Sequence, residues 1–233
     1  MNFLTYGGYD TRNDHVYISG GGTYIAPVRR VTTFSVPGRD GDLVQDEGSF
    51  DNVDVTYPCF IIDDFPRNFA SFKAAMLSKT GYQRLEDTYH PEHFRKGFLS
   101  AGIAPEAGTL NRTGRFELVF HCKPQRWLKS GEDVIGFESA GSVQNPTMYA
   151  ALPLIRAYGT GTFYIGAYGV QITEADEFTD IDCEVQDAFK GAVNKNPYIR
   201  LLNGSFPKIE PGNIGITMTG ITRLEITPRW WTI

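Results

Sequence analysis

The run from Gly114 to Gly131 constrains this chain more than any other stretch: Gly-Arg-Phe-Glu-Leu-Val-Phe-His-Cys-Lys-Pro-Gln-Arg-Trp-Leu-Lys-Ser-Gly. In it Phe116, Leu118, Phe120 and Cys122 alternate with Glu117, Val119, His121 and Lys123. Successive side chains leave a strand on opposite faces, so this period of two predicts a strand with one buried face. Pro124 has no backbone N–H to give a neighbour, and the strand cannot continue past it as an interior ladder. Trp127 and Leu128 then anchor the departing chain, and Ser130-Gly131 releases it. The strong helical pattern lies before this run and an all-β pattern after it. We read it as the last strand of one domain and the hinge into another, with domains 1–130 and 131–233 and with Pro124, Trp127 and Leu128 at the junction.

A chain of 233 residues holds one large or two small domains, and either buries a real core. In the first domain, Phe65, Phe69, Phe72 and Met76 recur at four, three and four residues and predict one helix over 65–80. Asp63 and Asp64 before it, Pro66 just inside it and Gly81 after it are boundary signals. Ahead of the helix, Val31–Val36 leads into Val36-Pro37-Gly38-Arg39-Asp40-Gly41-Asp42-Leu43, and Asp51–Tyr57 returns with clean alternation. Pro-Gly and Asp-Gly are turn pairs, so this is an extended β-arm with a charged tip. It serves as an ordinary surface hairpin or as a device that reaches a neighbouring subunit. The glycines of Ile18-Ser-Gly-Gly-Gly-Thr23 would cradle phosphate only at a helix N-terminus. No helical pattern follows them, and a turn is the reading.

In the second domain, apolar runs at Leu152–Tyr158, Thr162–Ile165, Ala167–Ile172, Ile181–Val185, Tyr198–Leu202, Ile214–Met218 and Leu224–Ile226 are separated by turn residues. Short strands at this spacing predict a β-sandwich. The fold class is therefore mainly β in two domains, the first a sandwich or barrel-like body with one helix and an arm.

Charge excludes one class of partner. Residues 1–130 carry fifteen Lys/Arg and fifteen Asp/Glu, leaving seven and twelve for 131–233, so the whole net charge of −5 falls in the second part. Nucleic-acid affinity comes from clustered Lys/Arg, and there is no such cluster. The N-terminal residues lack the basic and apolar regions of a signal peptide, and no apolar run approaches membrane-spanning length. Cys59, Cys122 and Cys183 are odd in number and each keeps phase with apolar neighbours (Val55/Tyr57, Leu118/Phe120, Ile181/Val185), which predicts buried free thiols made in a reducing cytoplasm.

Catalytic and metal chemistry find little purchase. The chain has no nucleophile elbow, Walker loop, dinucleotide fingerprint, HExxH or CxxC pair. His121 and Cys122 are consecutive strand residues and point apart. His90 and His93 with Glu92 lack a third ligand at a recognisable spacing, and no cofactor or metal is expected. The carboxylates Glu174, Asp176, Glu177, Asp180, Asp182, Glu184 and Asp187 do not follow a calcium-loop pattern and read as a solvated loop and strand face. A carboxylate pair for glycoside hydrolysis is set by three-dimensional spacing, so a hydrolase stays a third class of function.

The order of landmarks resembles the distal tail protein (Dit) family of siphophages and Gram-positive prophages. The segments are the Val36–Leu43 arm, the helix followed by Tyr82-Gln-Arg-Leu85 and Tyr89, and Phe120-x-Cys-Lys-Pro-Gln-Arg-Trp127. In the second half they are Asn145-Pro-Thr147, Pro153-Leu-Ile-Arg-Ala-Tyr-Gly159, Ile181-Asp-Cys-Glu184, Phe206-Pro-Lys-Ile-Glu-Pro-Gly212 and Thr219–Trp231. The resemblance implies a non-enzymatic structural hub at the virion tail tip, assembled in the host cytoplasm, whose N-terminal domain closes a hexameric ring and whose C-terminal domain is a galectin- or carbohydrate-binding-module-like sandwich. The implied partners are further copies of itself, including stacked rings, the tail-tube protein and the tail-associated lysin or fibre. DNA would only pass through the lumen, and no membrane is involved. The alternative is a carbohydrate-binding module or adhesin that stacks sugars on Trp230, Trp231, Tyr164 or Tyr168.

Overall fold

A computed structural model describes residues 1–233 apart from the side chain of Thr109. The chain is mainly β and divides into two compact units, residues 1–126 with Ile233, and residues 127–232. Each is described by itself.

The centre of the first unit is the pair Val53–Ile61 and Gly114–Cys122, antiparallel in unbroken register from Gly114↔Ile61 to Cys122↔Val53. Every second residue of each is buried: Val53, Val55, Tyr57, Cys59 and Ile61 on one strand, Gly114, Phe116, Leu118, Phe120 and Cys122 on the other. The sheet continues on one side through His93–Leu99, Gln83–Asp87, Leu4–Tyr6 and Tyr9–Asp10, and on the other to Val16–Ile18. Pro58 sits inside the strand Val53–Ile61, where a missing N–H would break a ladder. Its carbonyl accepts from Ser19 N at 2.9 Å, one residue past the end of Val16–Ile18, so the absent donor faces a place where the neighbouring strand has ended.

The helix is Phe65–Leu77, three residues shorter than 65–80, because Ser78 closes it and its Oγ donates to Ala75 O. Asp64 is not a side-chain cap; it adopts left-handed backbone, and Asn68 Nδ2 instead donates to Asp63 O. Phe65, Phe72 and Met76 enter the core with Phe69 packed against it. The Phe69 and Phe72 rings meet Phe116 at 5.4 and 5.3 Å. Gly114 permits this approach, since a Cβ there would stand 2.1 Å from the Phe65 ring.

The second unit is two antiparallel sheets. One runs Ile135–Phe137, Arg223–Thr227, Leu154–Tyr158, Phe178–Asp182, Asp187–Lys190 and Val193–Asn194; the other runs Gly141–Asn145, Gly212–Thr219, Gly161–Ile165, Tyr168–Ile172 and Ile199–Leu201. Ile155, Ala157, Phe163, Ile165, Val170, Ile181, Leu224 and Ile226, from both sheets, are fully buried in one core, as the alternation of half-buried strands requires. Asn145 is buried beside it, and its Nδ2 donates to Tyr149 O and Ile209 O, both at 2.9 Å.

Two expectations about this unit need correction. The carboxylates of residues 174–187 are not one solvated face. Asp180 is buried and accepts Arg156 Nε and Nη2 at 2.7 and 3.0 Å; Asp182 accepts both terminal nitrogens of Arg229 at 2.7 and 2.8 Å. Arg156 comes from the paired strand Leu154–Tyr158 and Arg229 from the segment after Arg223–Thr227, which local spacing does not display. Val185 is exposed, because the strand ends at Asp182 and the chain turns through Gln186 at φ +58.

Candidate assembly surface

The arm is real, but its return strand is not the expected one. Arg29–Phe34 pairs with Leu43–Phe50, the turn spans 35–42, and Asp51–Tyr57 belongs to the core strand Val53–Ile61. Leu-Val-Gln-Asp-Glu-Gly-Ser-Phe reads polar because its first six residues are exposed on both faces. Gly38 (φ +80) and Gly41 (φ +76) take the left-handed backbone of the tip, where Val36 O accepts Arg39 N at 3.1 Å. Val36, Pro37, Gly38, Arg39, Asp40, Gly41, Asp42 and Leu43 are all exposed.

Among the described residues, no arm residue belongs to either core. Both strands form a sheet of two and no more. A lone hairpin is marginally stable in water, and its outer edges offer unpaired N–H and C=O groups. Local contacts give modest support: Arg29 Nε–Asp46 and Arg30 Nε–Asp51 at 2.5 Å and Thr32 Oγ1–Glu47 at 2.9 Å. Asp46 lies below the ordinary carboxylate range because Gly48 N–H and Arg29 favour its charged form. Being exposed, these pairs hold the arm's shape more than they stabilise it. Val31, Phe34, Leu43 and Val44 stay 46%, 50%, 42% and 65% exposed, Val31 and Val44 on one face of the ribbon and Phe34 and Leu43 on the other.

The outward faces of Val53–Ile61 and Gly114–Cys122 line a groove of about 1350 Å³, with Phe60, Ile62, Val119, Arg115 and Glu117 among its walls. It exceeds the roughly 300–1,000 Å³ of a small-molecule site and is shaped as a mixed apolar and charged surface.

The other residues singled out from sequence fall elsewhere. Pro124 and Trp127 are buried and Leu128 is half-buried. Leu128 N donates to Trp230 O at 2.9 Å and Arg229 N to Gly131 O at 2.7 Å; a Cβ on Gly131 would stand 2.3 Å from Trp230 N. Trp230 is therefore core, 4% exposed, and no stacking platform. Trp231 stacks on Tyr149 with centroids 4.4 Å apart, and its Nε1 donates to Ala150 O. Tyr168 OH donates to Glu210, leaving Tyr164 as the more exposed ring of that pair. The three cysteines are free and buried, and burial pushes the thiols of Cys122 and Cys183 up to about 12 and Cys59 further, so none is a nucleophile. No described helix is long and apolar enough to cross a membrane.

No protein-family model and no curated protein matches this sequence. Among solved structures, the Dit protein of phage SPP1, described as a paradigm of the hub adsorption apparatus in phages infecting Gram-positive bacteria, matches with TM-score 0.79 at 11% identity over 100% of both chains. Two structures of the phage p2 baseplate in its activated conformation, with strontium and with calcium, match with TM-scores 0.55 and 0.52 at 11% and 10% identity over 97% of each chain. By fold, from one end to the other, this mainly β chain is similar to phage distal tail (Dit) hub proteins.

Proposed function

We propose that this chain is a non-enzymatic structural hub of a phage or prophage tail tip. Its N-terminal domain closes a hexameric ring between the tail-tube protein and the tail-associated lysin or fibre. The observation that carries this reading is the uncovered arm on a hub-like fold: a two-stranded ribbon with exposed apolar residues on both faces and open edges is finished only by another molecule. A neighbouring copy or a stacked ring supplies the cover, with the groove beside Phe60 and Val119 as a receiving surface of matching mixed character. Balanced charge over residues 1–130 suits a lumen that lets DNA pass without gripping its phosphates. Pro124, Trp127 and Leu128 belong to the link between the two domains. The carbohydrate-binding alternative loses its main platform, because Trp230 is buried and Trp231 is committed to Tyr149.

The test is solution mass by light scattering, with negative-stain images, for the full chain and for a variant lacking residues 37–42. We expect six-fold rings for the first and a shift towards monomer for the second. A full chain that stays monomeric at high concentration, or a variant of unchanged mass, overturns the role given to the arm.

A further inference from the structure

The strand His93–Leu99 breaks its own alternation: Phe94 and Arg95 are buried in succession. Arg95 is only 5% exposed, and its Nη1 is fully enclosed with no protein hydrogen-bond partner. Asp87 is the carboxylate that acts on it, and it is occupied elsewhere. Asp87 Oδ2 accepts Tyr57 OH at 2.7 Å, and Oδ1 accepts His90 N at 2.9 Å and faces His90 Nδ1 at 3.1 Å. Held that way round, His90 leaves its Nε2 enclosed and without a protein partner too. Asp87, His90, His93, Arg95 and Arg126 surround one cavity of about 10 Å³, room for a single water-sized particle.

Two guanidinium groups and one carboxylate leave this cavity with an excess positive charge before either imidazole is counted. A buried charge without a counter-charge is costly, and water in the cavity would meet the hydrogen bonds without neutralising it. A divalent cation would face two guanidinium groups, so the pair His90 and His93 is not a metal site. We propose that this cavity binds a small monovalent anion of halide size, with Arg95 Nη1 as the donor and Arg126 as the second charge. Burial and the neighbouring Arg126 push the Arg95 guanidinium below its ordinary range, which an anion would reverse. Oxyanions such as phosphate and sulfate are too large for the space.

The probe is bromide. Crystals of the full chain soaked in sodium bromide should give an anomalous peak in contact with Arg95 Nη1. In solution, the melting temperature should rise with sodium chloride relative to sodium gluconate at equal ionic strength, since gluconate cannot enter. In Arg126→Gln, at the less buried edge of the cavity, the chloride dependence should shift to about tenfold higher concentration, the effect of removing one charged partner. Arg95→Met, matched in shape and uncharged, should abolish it; if that variant does not fold, the Arg126→Gln shift and the bromide peak still decide. Water at full occupancy with no anomalous signal, or equal melting temperatures in chloride and gluconate, overturns the proposal. The ring assembly can fail while this site stands, because neither readout uses oligomeric mass.

Discussion

Replacing Val44 by Asp separates the arm's role in assembly from any role in the fold. Val44 is 65% exposed on Leu43–Phe50 and opposite Thr33. Fully burying an apolar side chain yields about 1.5–3 kcal/mol, and Val31, Phe34, Leu43 and Val44 each have roughly half of that left to gain. Covering both faces of the ribbon therefore contributes roughly 4 kcal/mol per docked arm. Val44→Asp forfeits about 1 kcal/mol of it and adds about 2 kcal/mol for desolvating a carboxylate without a partner. The sum of about 3 kcal/mol weakens each contact roughly 100-fold. Sedimentation velocity over two decades of concentration should place the variant's ring-to-monomer midpoint at least that much higher. Its urea midpoint should match the parent's within about 0.5 kcal/mol, as for other substitutions remote from a core. Superimposed mass-against-concentration curves would refute the reasoning. So would a large loss of stability, because it would mean the arm is part of the folded core.

Two further predictions concern the bodies that carry the arm. Gly114→Ala drives a methyl into the Phe65 ring and should cost about 1–3 kcal/mol in denaturant unfolding; a neutral result would show that the helix does not rest on this strand as described. At Asp182 burial alone would raise the carboxyl, but Arg229 and the backbone N–H groups of Glu184 and Val185 outweigh it and hold it low. A depressed folded value means stability present above the unfolded value of about 3.9 and lost as pH falls through the folded one. Asp182→Asn should lower stability at pH 7 by about 2 kcal/mol and flatten the acid limb below pH ~4 relative to the parent. Parallel acid limbs for the two proteins would remove Asp182 from that account.

Local pattern alone carried the strands whose two faces differ. Phe116, Leu118, Phe120 and Cys122 alternate in sequence and are all buried in the structure, because a strand's period of two is a property of the backbone. Six of the seven apolar runs of the second half became strands for the same reason, while Ile181–Val185 left its strand after Asp182; the helix announced itself through Phe65, Phe69, Phe72 and Met76. Residues 43–50 escaped notice, since a strand exposed on both faces has no buried side to imprint a pattern on its sequence. The same limit hid the partners of Asp180 and Asp182: Arg156 and Arg229 stand 24 and 47 residues away, and only the folded chain brings them within hydrogen-bonding reach. Trp230 and Trp231, adjacent in the chain, went to a core and to the Tyr149 ring because the backbone after Pro228 points them in different directions. Sequence by itself thus determined the β-rich class, the helix, the arm's tip and the buried thiols, all consequences of contacts between near neighbours. Which charges pair, which aromatics are buried, which strand completes the arm and where Arg95 is stranded were decided by tertiary structure, because each depends on residues that the chain brings together only when it folds.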